Sequence, residues 1–159
     1  MAETRTAEPT VGIDSDVSWK GGVVAGLAGG AVMAAVMLVM NPAPIEVAIP
    51  SLYGLAPPAN GAAGLTIHLA HGAVLGVVFA GLAGATDIAG ARGKLLGAGV
   101  AWGVVTWVVL AALVMPVWLG AVGSPASPPL PNFAPPSLLW HVVYGLVLGG
   151  VYVGLEGRF

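Results

Sequence analysis

Two histidines head the same motif, half a chain apart. Residues 68–82 read HLAHGAVLGVVFAGL and residues 141–155 read HVVYGLVLGGVYVGL. At an offset of 73, eight of the fifteen positions are identical: His68/His141, Gly72/Gly145, Val74/Val147, Leu75/Leu148, Gly76/Gly149, Val78/Val151, Gly81/Gly154 and Leu82/Leu155. A neutral imidazole offers one donor and one acceptor nitrogen and is the commonest metal ligand among side chains. Two imidazoles on different helices can serve as the axial ligands of a haem b. His68 and His141 are the candidate cofactor-binding pair. His71 adds H-x-x-H on one helix, and Glu46 is the nearest carboxylate on that side of the sequence pattern. His68, His71, His141 and Glu46 together have ligand types that suit zinc or copper. Met33, Met37 and Met40 form a stripe at spacings of four and three, and thioether sulfur suits Cu(I).

Each of these features has a structural alternative. A histidine in an apolar span can stay neutral, bond to a backbone carbonyl and act as glue between helices. Methionine fills irregular gaps in a bundle, and positions 107, 111 and 114, which correspond to the stripe at an offset of 74, are Trp, Ala and Val. Gly72–Gly76 and Gly145–Gly149 open room for a porphyrin or, equally, form G-x-x-x-G contacts between helices. The loops beside the histidines hold no Lys or Arg to meet haem propionates. No phosphate-binding loop, nucleophile elbow, H-E-x-x-H or carboxylate pair is present, so the expectation is a protein that is not an enzyme. Asp87 is read as a turn residue that caps or follows the second helix and neutralises Arg92.

The elements that position these groups follow from composition. Only 8% of the 159 residues are charged and 57% are hydrophobic, whereas a soluble domain carries about a quarter charged residues. Lipid must therefore cover most of the surface. The net charge of −2 and the lack of any basic cluster exclude a nucleic-acid partner. The lack of cysteine excludes disulfides and thiolate chemistry. Residues 1–19 are too polar to fold and are expected to form a disordered cytoplasmic tail. Residues 20–159 then form an all-α domain of four transmembrane helices, about 21–41, 62–85, 95–119 and 137–156. Each is near the 20 or so residues that cross a bilayer core, and backbone with no water to bond must be helical there.

Arg5, Lys20, Arg92, Lys94 and Arg158 all fall in the tail, the 86–94 loop or the C-terminus. The positive-inside rule makes those regions cytoplasmic, in a multi-pass plasma-membrane protein with both termini inside. The two basic-free loops, 43–61 and 120–136, lie outside. Ile45–Leu55 suits an interfacial or re-entrant turn, and the proline-rich second loop suits extended chain along the outer rim. Trp19, Trp118 and Trp140 fit an aromatic belt; Trp102 and Trp107 belong inside the bundle. Lys20 and Pro42 bracket the first helix as Lys94 and Pro116 bracket the third, at an offset of 74, and Gly29 falls on Gly103. The spans therefore read as a tandem duplication of a two-helix hairpin, a parallel repeat. The histidines are expected one to two turns inside the outer ends of their helices.

The four spans, the acidic tail, the H-x-x-H-G and W-H-x-x-Y-G helix starts and the proline-rich loop resemble a family of small four-helix integral membrane proteins of unknown function, common in halophilic archaea. The resemblance implies a polytopic plasma-membrane protein and adds no activity. Three functions fit the sequence. One is a membrane component acting through helix–helix contacts, in a homo-oligomer or a larger membrane complex. The second is a haem- or metal-binding protein using His68 and His141, for electron transfer or copper handling. The third is a small transporter or channel subunit, against which stands the lack of charge within the spans.

Overall fold

The computed structural model describes residues 18–86, Ile88 and residues 90–158. The tail and Asp87 lie outside the described residues. Four helices are long and apolar enough to cross a membrane: Trp19–Met40, Gly61–Ala85, Arg92–Ala121 and Pro135–Leu155. The first is α1 (Trp19–Met40). A π-helical turn, Pro44–Ala48, then runs into the single turn α2 (Ile49–Ser51). The second span is α3 (Gly61–Ala85). The third is one continuous helix in three parts: α4 (Arg92–Thr106), a π-helical stretch Trp107–Val114, and α5 (Met115–Ala121). The fourth is α6 (Pro135–Leu155). No strand occurs among the described residues.

The helix starts are chemically specified. Ser18 Oγ accepts from the Gly21 N–H, and Asn60 Oδ1 accepts from the Ala63 N–H. Each side chain thereby satisfies one of the free donors at a helix N-terminus. Pro135 sits in the first turn of α6, where its missing N–H costs nothing. The turn between α3 and α4 needs Gly90, whose φ of +79° suits glycine. The Gly90 N–H donates to Glu156 Oε1 at 2.7 Å, tying this turn to the end of α6.

The helices pair as α1 with α3 and α4 with α6, and α1 packs along α6, while α3 and α4 barely touch. Both tight pairs are backbone-to-backbone. A Cβ on Gly26 would strike the Gly72 carbonyl, and one on Gly22 would come within 2.7 Å of the Gly76 carbonyl. In the other pair, a Cβ on Gly99 would strike the Gly145 carbonyl, and one on Gly103 the His141 carbonyl. Small residues are what allow such approach between apolar helices. Gly29 does not share the role of Gly103: its missing Cβ makes room for Tyr144 of α6. The core is correspondingly small-residue rich, with Ala25, Ala34, Ala80 and Ala83 buried beside Leu95 and Leu148. Large apolar side chains cover the outside, Val39 being 88% exposed and Leu146 52%.

Both long connections leave from the same end of the bundle, here termed distal. Proline shapes both. Pro50 and Pro116 lack the N–H that would bond the carbonyl four residues earlier. Those carbonyls, of Glu46 and Ala112, accept instead from the backbone N–H groups of Asn60 (2.7 Å) and Asn132 (2.9 Å). The first connection folds into the helical turns 44–51 and packs on α3, Gly64 being the residue that lets the Ile45 carbonyl in. The second differs from a segment lying along the rim. Phe133 packs against Trp107, with centroids 5.5 Å apart. Asn132 meets Ala112, nine residues before the end of α5 at Ala121, so the loop descends about 13 Å along the third span at 1.5 Å per residue.

Candidate functional site

All three histidines line one cavity of about 450 Å³ in the distal half. Its walls are α1 (Met33, Met37), α3 (His68, His71, Leu75), the third span (Thr106, Leu110, Ala111) and α6 (Ser137, His141, Tyr144). The volume lies within the 300–1,000 Å³ of small-molecule sites. No Asp, Glu, Lys or Arg lines it. Val74, Leu110 and Val114, 62%, 37% and 41% exposed, stand where α3 and the third span separate, so the cavity opens sideways onto the apolar surface.

Four polar side chains in the wall, those of His68, His141, Tyr144 and Thr106, are each oriented by a backbone carbonyl. His68 is buried on α3, and its Nε2 lies 3.1 Å from the Gly30 carbonyl of α1. A carbonyl can only accept, so Nε2 carries the hydrogen and Nδ1 holds the lone pair of the neutral ring. His141 Nδ1 lies 2.7 Å from the Ser137 carbonyl one turn earlier, which leaves its Nε2 as the acceptor. The buried side-chain polar atoms without a partner, among the described residues, are Trp102 Nε1, Trp107 Nε1 and the Tyr152 hydroxyl. His68 Nδ1 and His141 Nε2 are not sealed in this way, and the space beside both rings is the cavity. The Tyr144 hydroxyl donates to the Gly72 carbonyl (2.9 Å), and the Thr106 hydroxyl to the Gly103 carbonyl (2.9 Å).

His71 faces the distal end. Its Nε2 pairs with the Tyr53 hydroxyl at 2.8 Å. The Tyr53 ring also packs on Trp118, centroids 5.7 Å apart, and so bridges α3 to α5 over the distal end of the cavity. Tyr53 carries no spacing signal, since it sits alone in the first loop; only its place between two aromatic or polar partners gives it a role.

The sequence-derived candidates separate into two groups. His68, His71 and His141 come together around the cavity with Gly72, whereas Glu46 is outside the lining and stands against Gly61. Among the described residues, no group of three or more His, Asp or Glu side chains is arranged to hold a metal ion. Gly72, Gly76, Gly145 and Gly149 all make close backbone approaches to neighbouring helices. The methionine stripe divides: Met33 and Met37 line the cavity, while Met40 Sδ accepts from Trp140 Nε1 at 3.3 Å. His68 and His141 sit about two turns inside the distal ends of α3 and α6, in line with the expectation. His68 reaches the middle of the 22-residue α1 at Gly30, and the His141 carbonyl abuts Gly103 inside α4. The buried face of α3 runs from His68 through Gly72, Gly76, Phe79 and Ala83, and leaves Leu82 47% exposed. No protein-family model matches the chain, and neither a curated protein nor a solved structure matches it.

Proposed function

We propose that this is a non-enzymatic integral membrane protein that binds a small apolar molecule in the histidine-lined cavity. One observation carries the reading: two imidazoles from different hairpins each have one N–H fixed on a backbone carbonyl and present the other nitrogen to the same apolar cavity. Unpaired polar atoms facing a cavity of ligand size are the features that fix a ligand's orientation. In this reading the termini and the 86–94 loop are cytoplasmic, which the five basic residues in them support, and the cavity lies in the outer half of the plasma membrane. Its occupant is then reached from the outer leaflet.

Duplication of a hairpin accounts for how two such histidines arose. Supporting it, Gly26 stands to Gly72 as Gly99, 73 positions on, stands to Gly145. Lys20/Lys94 and Pro42/Pro116 stand at 74, one residue more than the 73 of the packed glycines, so the two units differ by a single residue in register.

A second reading, a haem or copper held by His68 and His141, draws on the same observation, because ligating imidazoles commonly donate their other N–H to a carbonyl. Met33 and Met37 suit copper; the lining has no cation for propionates. Association through helix contacts has less to draw on, since the motif glycines are used within the chain. Gly93 and Gly97 on α4, with Gly81 on α3 and Gly154 on α6, meet nothing and are the remaining places for it.

The test is the protein gently extracted from its membrane and examined by native mass spectrometry, absorption and metal analysis, beside Ala111→Phe, which fills the cavity. The reading expects a non-protein molecule on the wild type that is lost from the variant. The same bound complement on both would end it, and a reducible Soret band or stoichiometric copper would decide for the second reading.

A further inference from the structure

The deep wall of the cavity is made of hydrogen-bond acceptors. His68 Nδ1 and His141 Nε2 can only accept in the neutral tautomers that their carbonyl partners impose. Tyr144 and Thr106 have their O–H groups engaged by the Gly72 and Gly103 carbonyls, which leaves lone pairs towards a ligand. Trp140 has its N–H on Met40 Sδ. The free donors in the lining are the Ser137 hydroxyl, the Trp118 indole, the amides of Asn41 and Asn132 and, in one of its tautomers, His71 Nδ1. His68 is the sharpest case. It is 8% exposed, its Nδ1 has no partner among the described residues, and its ring borders the cavity.

Resting on the ligand reading above, we propose that the occupant is an apolar molecule carrying a hydrogen-bond-donating hydroxyl, and that His68 and His141 recognise that hydroxyl. A molecule headed by a carbonyl, ether or ester sets lone pair against lone pair at this wall. A hydrocarbon leaves two buried acceptors unpaired, at the cost of an unsatisfied polar group. A phenol or hydroxylated lipid pairs with them while its body fills the space between Leu75, Leu110 and Ala111. The mouth between α3 and the third span, lined by Val74 and Val114, admits such a molecule directly from lipid.

The experiment compares para-heptylphenol with its methyl ether, which has the same apolar body and no donor. Each is titrated calorimetrically into nanodiscs containing the full chain, with empty nanodiscs subtracted. The expected result is saturable binding of the phenol about ten- to a hundredfold tighter than the ether, the ratio set by an unpaired buried acceptor. His141→Leu, whose lost bond lies within one turn of its own helix, is expected to bring the two affinities together, and His68→Leu likewise where it folds. The wild-type comparison stands without either variant. Equal binding of both probes, abolished for both by Ala111→Phe, overturns the hydroxyl proposal and leaves the ligand reading intact. A phenol preference that survives in His141→Leu and His68→Leu overturns the role of the histidines. Saturable binding of neither probe overturns the hydroxyl proposal, and the co-purification test then decides the ligand reading by itself.

Discussion

The α1–α6 seam and the seam between α3 and the third span differ in how far they close. Along α1–α6 the helices pack tightly, because Gly29 lets Tyr144 lie on α1 and reach across to the Gly72 carbonyl. Nearer the termini, Phe79 and Tyr152 meet edge to face, 5.8 Å apart. At the other seam, the residue 73 positions after Gly29 is Trp102 and the residue 73 before Tyr144 is His71. An indole stands where α1 has no side chain, and His71 turns away to Tyr53. The cavity occupies the distal half of the seam that does not close. Two exchanges of side-chain volume, with a π-helical stretch in only one of the long helices, thus separate a packed contact from an open cavity.

Restoring a side chain to a tight pair has the largest expected effect. Gly145→Leu places atoms where the Gly99 carbonyl lies. No folded, monodisperse protein is expected by size exclusion, whereas Gly97→Leu, with nothing within 4 Å, should run as wild type. Equal behaviour of the two variants would show that the backbone contact is not what holds α4 to α6.

Trp102→Gly removes the indole that the third span packs against the buried core. Loss of a large packed side chain costs about 3 kcal/mol at the lower end for such truncations. A clear fall in thermal stability is expected, together with loss of the bound molecule as the seam closes or reshapes. Retention of full ligand content would show that Trp102 does not hold the cavity open.

Tyr144→Phe is smaller. It removes one hydrogen bond between helices, worth about 0.6–2 kcal/mol in membranes. Thermal stability should drop slightly and ligand content fall only modestly, because Tyr144 spends its O–H on Gly72 and offers the cavity no more than a lone pair. Loss of ligand at unchanged stability would move Tyr144 into the binding set.

Much of the fold was legible in the sequence because lipid removes alternatives. An uncharged run of some 20 residues has one way to satisfy its backbone, and the four spans fall within a few residues of the expected ones. The glycines could be read as packing residues, but not their partners, since a G-x-x-x-G pattern does not say which helix it meets. What residue types did not show is how far the 120–136 loop descends along the third span. That is set by the free Ala112 carbonyl, itself a consequence of Pro116. The tautomers were beyond reach from residue types alone, since they follow from which ring nitrogen finds a carbonyl. Tyr53 was missed because a lone aromatic in a loop has no periodicity to betray it.

The central claim is that the cavity is reachable and occupied by a ligand in the folded protein. The sequence contains no cysteine, so Ser137→Cys, a near-isosteric change at a lining residue, introduces a single reporter. Its labelling by a small methanethiosulfonate is the most direct measurement, with Ala80→Cys, fully buried outside the cavity, as the sealed control. The account predicts rapid labelling at 137, protection by para-heptylphenol at saturating levels, and none at 80. Labelling at 137 as slow as at 80, or undiminished by the phenol, would contradict it.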